Sequence, residues 1–178
     1  NSAGILKSAF SIASLHNAED YLSKHLSLGI VPIPFGDAKY PICLAITPNP
    51  PAMLYLKGDV NILSEMPGVA IVGSREVSMA GEEITKRITK KICERGVVIV
   101  SGLAIGTDTN AHKATLKAGA KTIAVLAHGL ESAKPKQNAR LANEILSNGG
   151  AWISEYPVGR PAFKQSFVQR NRIQVGLS

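Results

Sequence analysis

The sequence predicts an α/β fold of the Rossmann-like, doubly wound type, with a mostly parallel sheet and helices on both faces. Short apolar runs alternate with amphipathic segments from residue 69 onward. The runs are unbroken, which is typical of strands that are buried on both faces. Regular strand–helix alternation favours right-handed crossovers between parallel strands. A short N-terminal appendage, partly helical and partly extended, is predicted to precede this region.

Residues 1–50 are predicted to form that appendage, a helical segment followed by a proline-rich connector. Apolar residues from 5 to 28 follow mostly helical spacing, with a break expected near Ser14–His16 and a helix start at Asn17. The connector should be extended and irregular, because proline fits neither helix interiors nor central strands. Its prolines are Pro32, Pro34, Pro41, Pro48, Pro50 and Pro51.

Residues 51–178 are predicted to form the main, Rossmann-like domain. Strands are expected over the apolar runs at 53–57, 69–73, 97–101, 121–126 and 152–153. Helices are expected at about 79–95, 108–118 and 137–147, with a last one starting near Phe167. The runs at 69–73, 97–101 and 121–126 are expected to supply the central strands.

Composition narrows the class of partner. The chain has 20 Lys and Arg against 13 Asp and Glu, a formal net charge of +7, which favours nucleic acid, anionic lipid or nucleotides. No apolar run approaches the roughly 20 residues that cross a membrane, so no membrane partner is expected. Cys43 and Cys93 lack the neighbouring Cys or His of a metal site. Two buried free thiols would suit a reducing cytoplasm.

Small polar turns follow four of the predicted strands. In an open α/β sheet, ligands bind outside the carboxyl ends of the strands, where glycines and helix N-termini accept phosphate groups. A guanidinium there suits bidentate phosphate contacts. The turns therefore predict a site for a phosphate-containing ligand. They contain Gly73, Ser74 and Arg75; Ser101 and Gly102; His128 and Gly129; and Ser154 and Glu155.

Motifs of common nucleotide enzymes are missing. No GxGxxG follows the strand at 69–73 and the chain has no Walker lysine motif, so neither a cofactor nor a catalytic residue is expected. Asp108 and His112 are four residues apart and can share a helix face. The favoured interpretation is that Asp108 caps the helix while His112 packs beneath the turn. Glu155 has the chemistry of a general base or ribose ligand, but no partner is visible.

The C-terminal stretch combines cations with aromatic rings. Lys and Arg neutralise phosphates, and an aromatic face stacks on an unpaired base. The same pattern equally fits a solvated basic loop with its phenylalanines in the core. We expect Arg75, Lys164 and Arg172 to converge on one face, with Phe167 close by. The stretch contains Arg160, Phe163, Lys164, Phe167, Arg170 and Arg172.

Several segments, in order, resemble motifs of the DprA/Smf family of bacterial DNA-processing proteins. They are LYLKG at 54–58, AIVGSR at 70–75, IVSGLAIGTD at 99–108 with Ala111 and His112, TIAVLAHGL at 122–130 with Pro135 and Asn138, SEYPVG at 154–159, Phe167, RNRI at 170–173 and GLS at 176–178. The chain departs from the family pattern at Thr107, Glu131, Lys134 and Val168.

The resemblance implies a protein that binds and protects single-stranded DNA without catalysis and helps to load the recombinase RecA during natural transformation or recombination. It also implies a homodimer of the full-length protein, and more of the Rossmann domain than this chain contains. By position, it implies DNA contacts from Arg75, Lys164, Phe167 and the turn formed by Arg170, Asn171 and Arg172, over the loops at Gly73 and at Ser101 and Gly102.

Two alternatives stay open at this point. One is a nucleotide-binding sensor, which the same row of turns could serve. The other is a nucleoside-monophosphate-processing enzyme of the lonely-guy-like Rossmann group. Those enzymes carry a PGGxGTxxE motif that this sequence lacks. The basic, aromatic C-terminal stretch favours DNA binding, because a mononucleotide pocket does not need four additional cations.

Overall fold

The computed structural model describes the backbone of residues 12–178 and the side chains of residues 15–178. Its helices are α1 (Ile12–Ser27), α2 (Ile42–Ala45), α3 (Met79–Cys93), α4 (Thr107–Lys117), α5 (Ala139–Ser147) and α6 (Lys164–Gly176), with 3-10 helices at Val60–Glu65 and Lys136–Asn138. Its strands are β1 (Ile30–Pro34), β2 (Met53–Gly58), β3 (Val69–Ala70), β4 (Ile99–Ser101), β5 (Thr122–Val125) and β6 (Ala151–Ser154).

The six strands form one sheet in the order β1-β2-β6-β5-β4-β3. Strands β3, β4, β5 and β6 pair in parallel, whereas β2 is antiparallel to both β6 and β1. Strand β2 is therefore the one strand of this sheet that runs against the others. The predicted α/β fold with a mostly parallel sheet is confirmed.

Apolar side chains cover both faces of the sheet, as the unbroken runs predict. On one face, Leu44 of α2, Ile62 of the first 3-10 helix and Ile173 of α6 pack against alternate strand residues. On the other face, Leu141 and Ile145 of α5 pack against the intervening residues. Period-two alternation in each strand thus supplies apolar side chains to both faces of the sheet, and the strands' carboxyl ends lie between the two helix layers.

Strand β3 is shorter than predicted and lies at an edge rather than in the centre. It contains only Val69 and Ala70, both partly buried, and Val72 is 57% exposed. Within the described residues, β3 pairs with β4 alone. Hydrophobicity predicts that this run belongs to the sheet but carries no information about strand order. The predicted central position is therefore wrong.

The proline-rich connector is more regular than predicted, because it contributes strand β1 and helix α2. Pro32 and Pro34 fit into β1 because the backbone N–H groups of a strand point alternately to its two sides. The N–H of Phe35 points toward β2 and donates to the Ala52 carbonyl, so the nitrogens of Pro34 and Pro32 point to the outer edge, where no strand needs an N–H donor. Edge strands tolerate proline for this reason.

Helix α1 runs without the break expected at Ser14–His16, so the predicted start at Asn17 is also wrong. The helix docks through His25, which is 1% exposed and whose ring stacks on Tyr55 of β2 at 4.9 Å between centroids. His25 Nε2 accepts a hydrogen bond from the Val158 N–H at 3.0 Å. A buried anchor late in the helix therefore fixes α1 to the sheet. The predicted helical residues before Ile12 lie outside the described residues.

Helix α6 begins at Lys164, three residues before the predicted start, and includes the residues expected to form a turn at 170–172. Its buried residues recur at helical spacing: Ser166, Arg170, Ile173, Gln174 and Gly176. This periodicity faces Arg170 inward and separates it from Arg172, which is two residues on and points to another side.

Cys93 is buried, whereas Cys43 is only partly buried, and both are free thiols. The expectation that both thiols are buried is therefore wrong for Cys43. Across the described part of the chain, no helix is both long enough and apolar enough to cross a membrane.

Candidate nucleic-acid interface

A cavity of about 230 Å³ opens at the carboxyl ends of the parallel strands, where three loops meet helix α6. We call it the Arg170 pocket. Cationic side chains, apolar side chains and one glycine share its wall, a combination that suits a ligand with both phosphate and base. It is lined by Arg75, Gly102, Ala104, Ile105, Lys134, Pro135, Phe167 and Arg170.

Arg170 is the most unusual group in this pocket. It is 6% exposed, yet its Nε and Nη1 atoms have no hydrogen-bond partner among the described residues. Burial lowers the pKa of its guanidinium, an effect that the negative charge of Asp108 opposes and the positive charge of Arg75 reinforces. A buried cation with unused donors is costly unless it meets an anion.

The loop after β4 is built to admit Arg170. Asp108 Oδ2 accepts hydrogen bonds from the N–H of Gly102 at 3.0 Å and of Ala104 at 3.3 Å. Leu103, between them, has a left-handed backbone with φ of 60°. Asn138 Nδ2 donates to the Leu103 carbonyl at 2.8 Å and so holds this turn from the α5 side.

The loop after β3 is locked onto the start of α4. The Ser74 carbonyl accepts from the Thr107 N–H at 3.1 Å, and Gly106 has φ of 90°. A Cβ at Gly106 would lie 2.4 Å from the Ser74 carbonyl oxygen and 2.5 Å from that of Arg75. This close approach fixes the backbone of Arg75 and leaves its side chain exposed beside the pocket.

Several predicted phosphate donors already have partners within the protein. The Gly102 N–H is bonded to Asp108, and the Ser101 hydroxyl donates to the Ile71 carbonyl at 2.6 Å. The Ser74 hydroxyl donates to the Glu76 carbonyl at 2.8 Å, and the Gly73 Cα faces the Thr107 side chain. These four residues shape the turns, and their contact with phosphate stays a prediction.

Helix α6 divides the predicted DNA residues between two sides. Lys164, Phe167 and Asn171 are exposed at spacings of three and four residues, on one side of the helix. Phe167 and Arg170 line the pocket with Arg75. Phe167 is 37% exposed, so its ring is accessible rather than part of the core.

Arg172 does not join the predicted group. Its Nη1 donates to the Asn49 carbonyl at 2.7 Å, and its Nη2 forms an ion pair with Glu155. This pair ties the connector before β2 to the end of β6 and to α6. The expected convergence with Arg75 is therefore wrong for Arg172, whereas Arg170 lines the pocket beside Arg75. The convergence of Lys164 with Arg75 stays a prediction.

Sequence reasoning missed two further residues of the site. Lys134 lines the pocket, whereas in the sequence it stands out only as a departure from the family pattern. Asn138 holds the Leu103 turn and also donates to Thr109 Oγ1 at 2.8 Å. The available signal for Asn138 is the Pro-x-x-Asn part of the family motif, which Pro135 and Asn138 match.

Asp108 and His112 do not form a catalytic pair. Asp108 caps the loop after β4, and His112 is fully buried with Nδ1 bonded to Thr122 Oγ1 at 2.8 Å. Burial lowers the pKa of His112 to about 3, so the imidazole is neutral at physiological pH. The expected packing of His112 is therefore confirmed. The expected helix cap at Asp108 is wrong, because its carboxylate accepts from loop N–H groups that precede α4 rather than from those of the helix.

Glu155 is engaged by Arg172, and burial raises the pKa of its carboxyl group. The carboxylate that looked suited to a general base is therefore part of the Arg172 anchor. His128, also buried, has its pKa lowered by burial and its Nδ1 bonded to the Gly129 carbonyl. Within residues 15–178, no three His, Cys, Asp or Glu side chains lie close enough to hold a metal ion.

A larger cavity of about 540 Å³ lies between α2 and the first 3-10 helix. Its wall is mostly apolar, with Ile42, Ile46 and Leu63 prominent and Lys39 as its one charged residue. It lacks converging polar groups, so the smaller Arg170 pocket is the better candidate for recognition of a charged ligand.

The chain is similar to bacterial DNA-processing proteins along most of its length. The sequence model of the family described as DNA recombination-mediator protein A matches residues 32–178. DNA processing protein DprA of Bacillus subtilis is 39% identical over 157 residues, which cover 88% of this chain and 52% of the relative. Protein Smf of Escherichia coli is 41% identical over 146 residues, covering 82% and 39%. The chain thus spans about half of these relatives or less.

Solved structures show the same similarity. The X-ray structure of DprA from Streptococcus pneumoniae matches with a TM-score of 0.77 and 39% identity over 87% of this chain and 55% of that one. A structure described by its single-stranded DNA binding mode, DNA processing protein A from Helicobacter pylori, matches with a TM-score of 0.73 and 31% identity, covering 84% and 66%. On these grounds, the chain belongs to the DNA recombination-mediator protein A family, also called DprA/Smf.

Proposed function

We propose that this chain binds single-stranded DNA, without catalysis, at the Arg170 pocket. The observation that carries the proposal is the buried guanidinium of Arg170, whose Nε and Nη1 donors are unused. Arg75 lies near enough for its charge to lower the pKa of Arg170. A DNA phosphate between the two would accept from both guanidinium groups and relieve their repulsion.

The charges around the pocket support an extended polyanion over a small ligand. Arg75, Lys134 and Lys164 form no ion pair with an acidic side chain among the described residues. Their charges therefore stay available to neutralise successive phosphates. Phe167 adds an accessible aromatic face beside them, on which an unpaired base can stack.

The state of the titratable groups supports binding rather than chemistry. Asp108, His112 and Glu155, the residues best suited to acid–base catalysis by type, all serve as internal hydrogen-bond or ion-pair partners. A nucleoside-monophosphate enzyme would need at least one of them free beside the ligand. The enzyme alternative therefore has less support than DNA binding, and the cations without ion-pair partners around the pocket favour DNA over a single nucleotide.

The relatives support a role in DNA processing during natural transformation or recombination. Two relatives are named DNA processing protein, the matching family is described as DNA recombination-mediator protein A, and the Helicobacter pylori structure is described by its binding of single-stranded DNA. The link to natural transformation follows from the family resemblance. Loading of RecA, homodimer formation by the full-length protein and a cytoplasmic location follow from the family resemblance alone and stay predictions for this chain.

Fluorescence anisotropy distinguishes these ligand classes. Labelled single-stranded DNA, duplex DNA of the same sequence and labelled nucleoside monophosphates are titrated with the chain at two salt concentrations. The proposal expects the tightest binding for single-stranded DNA, with affinity that falls as salt rises. Tighter binding of a mononucleotide than of DNA, with an affinity that does not change with salt, would favour the nucleotide-sensor hypothesis instead.

A further inference from the structure

A second group of aromatic and cationic side chains lies just before helix α6. The guanidinium carbon of Arg160 is 4.8 Å from the ring centroid of Phe163 and 6.0 Å from that of Tyr156. Phe163 is 48% exposed, and it belongs to none of the three apolar clusters that form the core. An aromatic ring held at the surface by a cation is available to a ligand.

The group is fixed by backbone and side-chain hydrogen bonds. Gly129 donates its N–H to the Arg160 carbonyl at 2.9 Å, and the Arg160 N–H donates to the Pro157 carbonyl at 3.1 Å. The Tyr156 hydroxyl donates to Gln169 Oε1 of α6 at 3.0 Å. Because Tyr156 and the backbone of Arg160 are held in place, and the Arg160 guanidinium contacts the Phe163 ring, a ligand that stacks on this ring loses less side-chain entropy on binding.

The spacing between Phe163 and Phe167 favours an unstacked single strand as the ligand. Phe163 immediately precedes α6 and stands four residues before Phe167, so the two residues are about 6 Å apart along the helix axis. Bases of a duplex stack about 3.4 Å apart. Two such rings cannot both receive neighbouring bases of a duplex, whereas a stretched single strand with unstacked bases can place one base on each.

We propose that Phe163, backed by Arg160, forms a second base-stacking position next to the one at Phe167, and that the pair selects unstacked single-stranded DNA over duplex. This inference rests on the proposed function, because it takes single-stranded DNA as the ligand of the adjacent pocket. Arg160 holds the Phe163 ring by a cation–π contact and adds a positive charge for the phosphate between the two bases. The phosphates on either side of this step face Lys164 and the Arg170 pocket.

The test uses an oligothymidylate of about six nucleotides. It is compared with a series of the same oligonucleotide in which each nucleotide position in turn lacks its base. Its affinity is measured by anisotropy for the parent chain, Phe163→Ala, Phe163→Tyr and Val168→Ala. Val168 is a matched control, an apolar residue of α6 that is 71% exposed. Thermal unfolding of each variant checks that the fold is kept.

We expect Phe163→Ala to weaken binding of the intact oligonucleotide about tenfold, while Phe163→Tyr and Val168→Ala bind like the parent. At one nucleotide position, loss of the base should lower the affinity of the parent chain but not lower that of Phe163→Ala further. Both changes remove the same base–aromatic stack. The affinity for duplex DNA should not change. Equal affinity of Phe163→Ala and the parent, or abasic penalties that add to Phe163→Ala at every position, would overturn the inference.

The outcome separates this inference from the proposed function. If the parent binds no oligonucleotide, the proposed function fails and the inference fails with it. If the parent binds and Arg75→Ala weakens binding while Phe163→Ala does not, the pocket is retained and only the second stacking position is overturned.

Discussion

The guanidinium of Arg170 occupies the space that any side chain at position 102 would need. A Cβ built on Gly102 would lie 1.6 Å from Arg170 Nη1 and 2.5 Å from its Cζ. The guanidinium of Arg170 can lie against the loop after β4 only because residue 102 has no side chain. The result is a buried positive charge at the carboxyl end of the sheet, with donors that face a ligand site.

Gly102→Ala should displace Arg170 and weaken both folding and DNA binding. The clash is with a buried side chain that is enclosed on several sides, so we expect a loss of about 1–3 kcal/mol in the free energy of unfolding. Urea unfolding and anisotropy measure the two effects. In an Arg170→Ala background the same change should cost much less, because the clash is gone. Equal costs in both backgrounds would contradict the contact.

Arg172→Ala should affect stability and leave the salt dependence of DNA binding unchanged. The substitution leaves Glu155 partly buried without its partner and releases Asn49, so a loss of about 1–3 kcal/mol in the free energy of unfolding is expected. The matched comparison is Arg75→Ala, which should barely alter stability. A lower salt slope for Arg172→Ala with unchanged stability would return Arg172 to the DNA site.

Stability should fall with acidification because His112 is neutral in the fold. Burial lowers its pKa to about 3 from an ordinary value of 6.5, so between these values the unfolded chain binds a proton that the native chain does not. This contribution is complete above pH 6.5 and decreases toward pH 3, with about 2 kcal/mol lost by pH 5.

His112→Gln should remove this part of the pH dependence. Urea unfolding from pH 7.5 to 5 measures the difference in unfolding free energy between parent and variant. This difference isolates the His112 contribution from those of Asp108 and Glu155, whose raised carboxyl pKa values change stability with pH in the opposite direction. A difference that does not change with pH would show that His112 takes up a proton within the fold.

Asn138→Ala should loosen the turn that presents Gly102. The amide donates to the Leu103 carbonyl and to Thr109 Oγ1, and its loss leaves buried groups without a partner. We expect about 1–3 kcal/mol of destabilisation and weaker DNA binding with the same salt slope. Asn143→Ala, at an exposed position of α5, is the control and should behave like the parent. Similar losses for both variants would argue against a specific role for Asn138.

Much of the fold follows from hydrophobic periodicity, and its failures have physical causes. The unbroken runs at 99–101 and 122–125 are buried strands, as predicted. The run beginning at Val69 has the same composition but lies at the sheet edge, because strand order depends on crossovers rather than on local hydrophobicity. Pro32 and Pro34 fit a strand because both face its free edge, which composition alone does not reveal.

The Arg170 pocket lies at the carboxyl ends of the strands, where the sequence predicts a ligand site, and its use by DNA stays a prediction. The turns after the strands and the basic stretch at 160–172 do meet, as expected from parallel topology. The sequence predicts both Arg170 and Arg172 as DNA contacts but names only Arg172 among the converging cations, because the start of α6, which fixes which residues face inward, is placed three residues too late. Once α6 is known to begin at Lys164, the burial of Ser166, Ile173 and Gln174 places Arg170 on the inner face.

The most direct test of the DNA site compares two arginines that carry the same charge at opposite ends of the sheet. Arg75 lines the Arg170 pocket, and Arg95, also exposed, lies just beyond the far end of α3. Affinity for single-stranded DNA is measured over a range of salt concentrations for each alanine variant. We predict that Arg75→Ala weakens binding and lowers the log–log salt slope by about 0.7, whereas Arg95→Ala leaves both close to the parent. If Arg75→Ala binds like the parent at low salt, or Arg95→Ala loses as much affinity, the Arg170 pocket is not the DNA site.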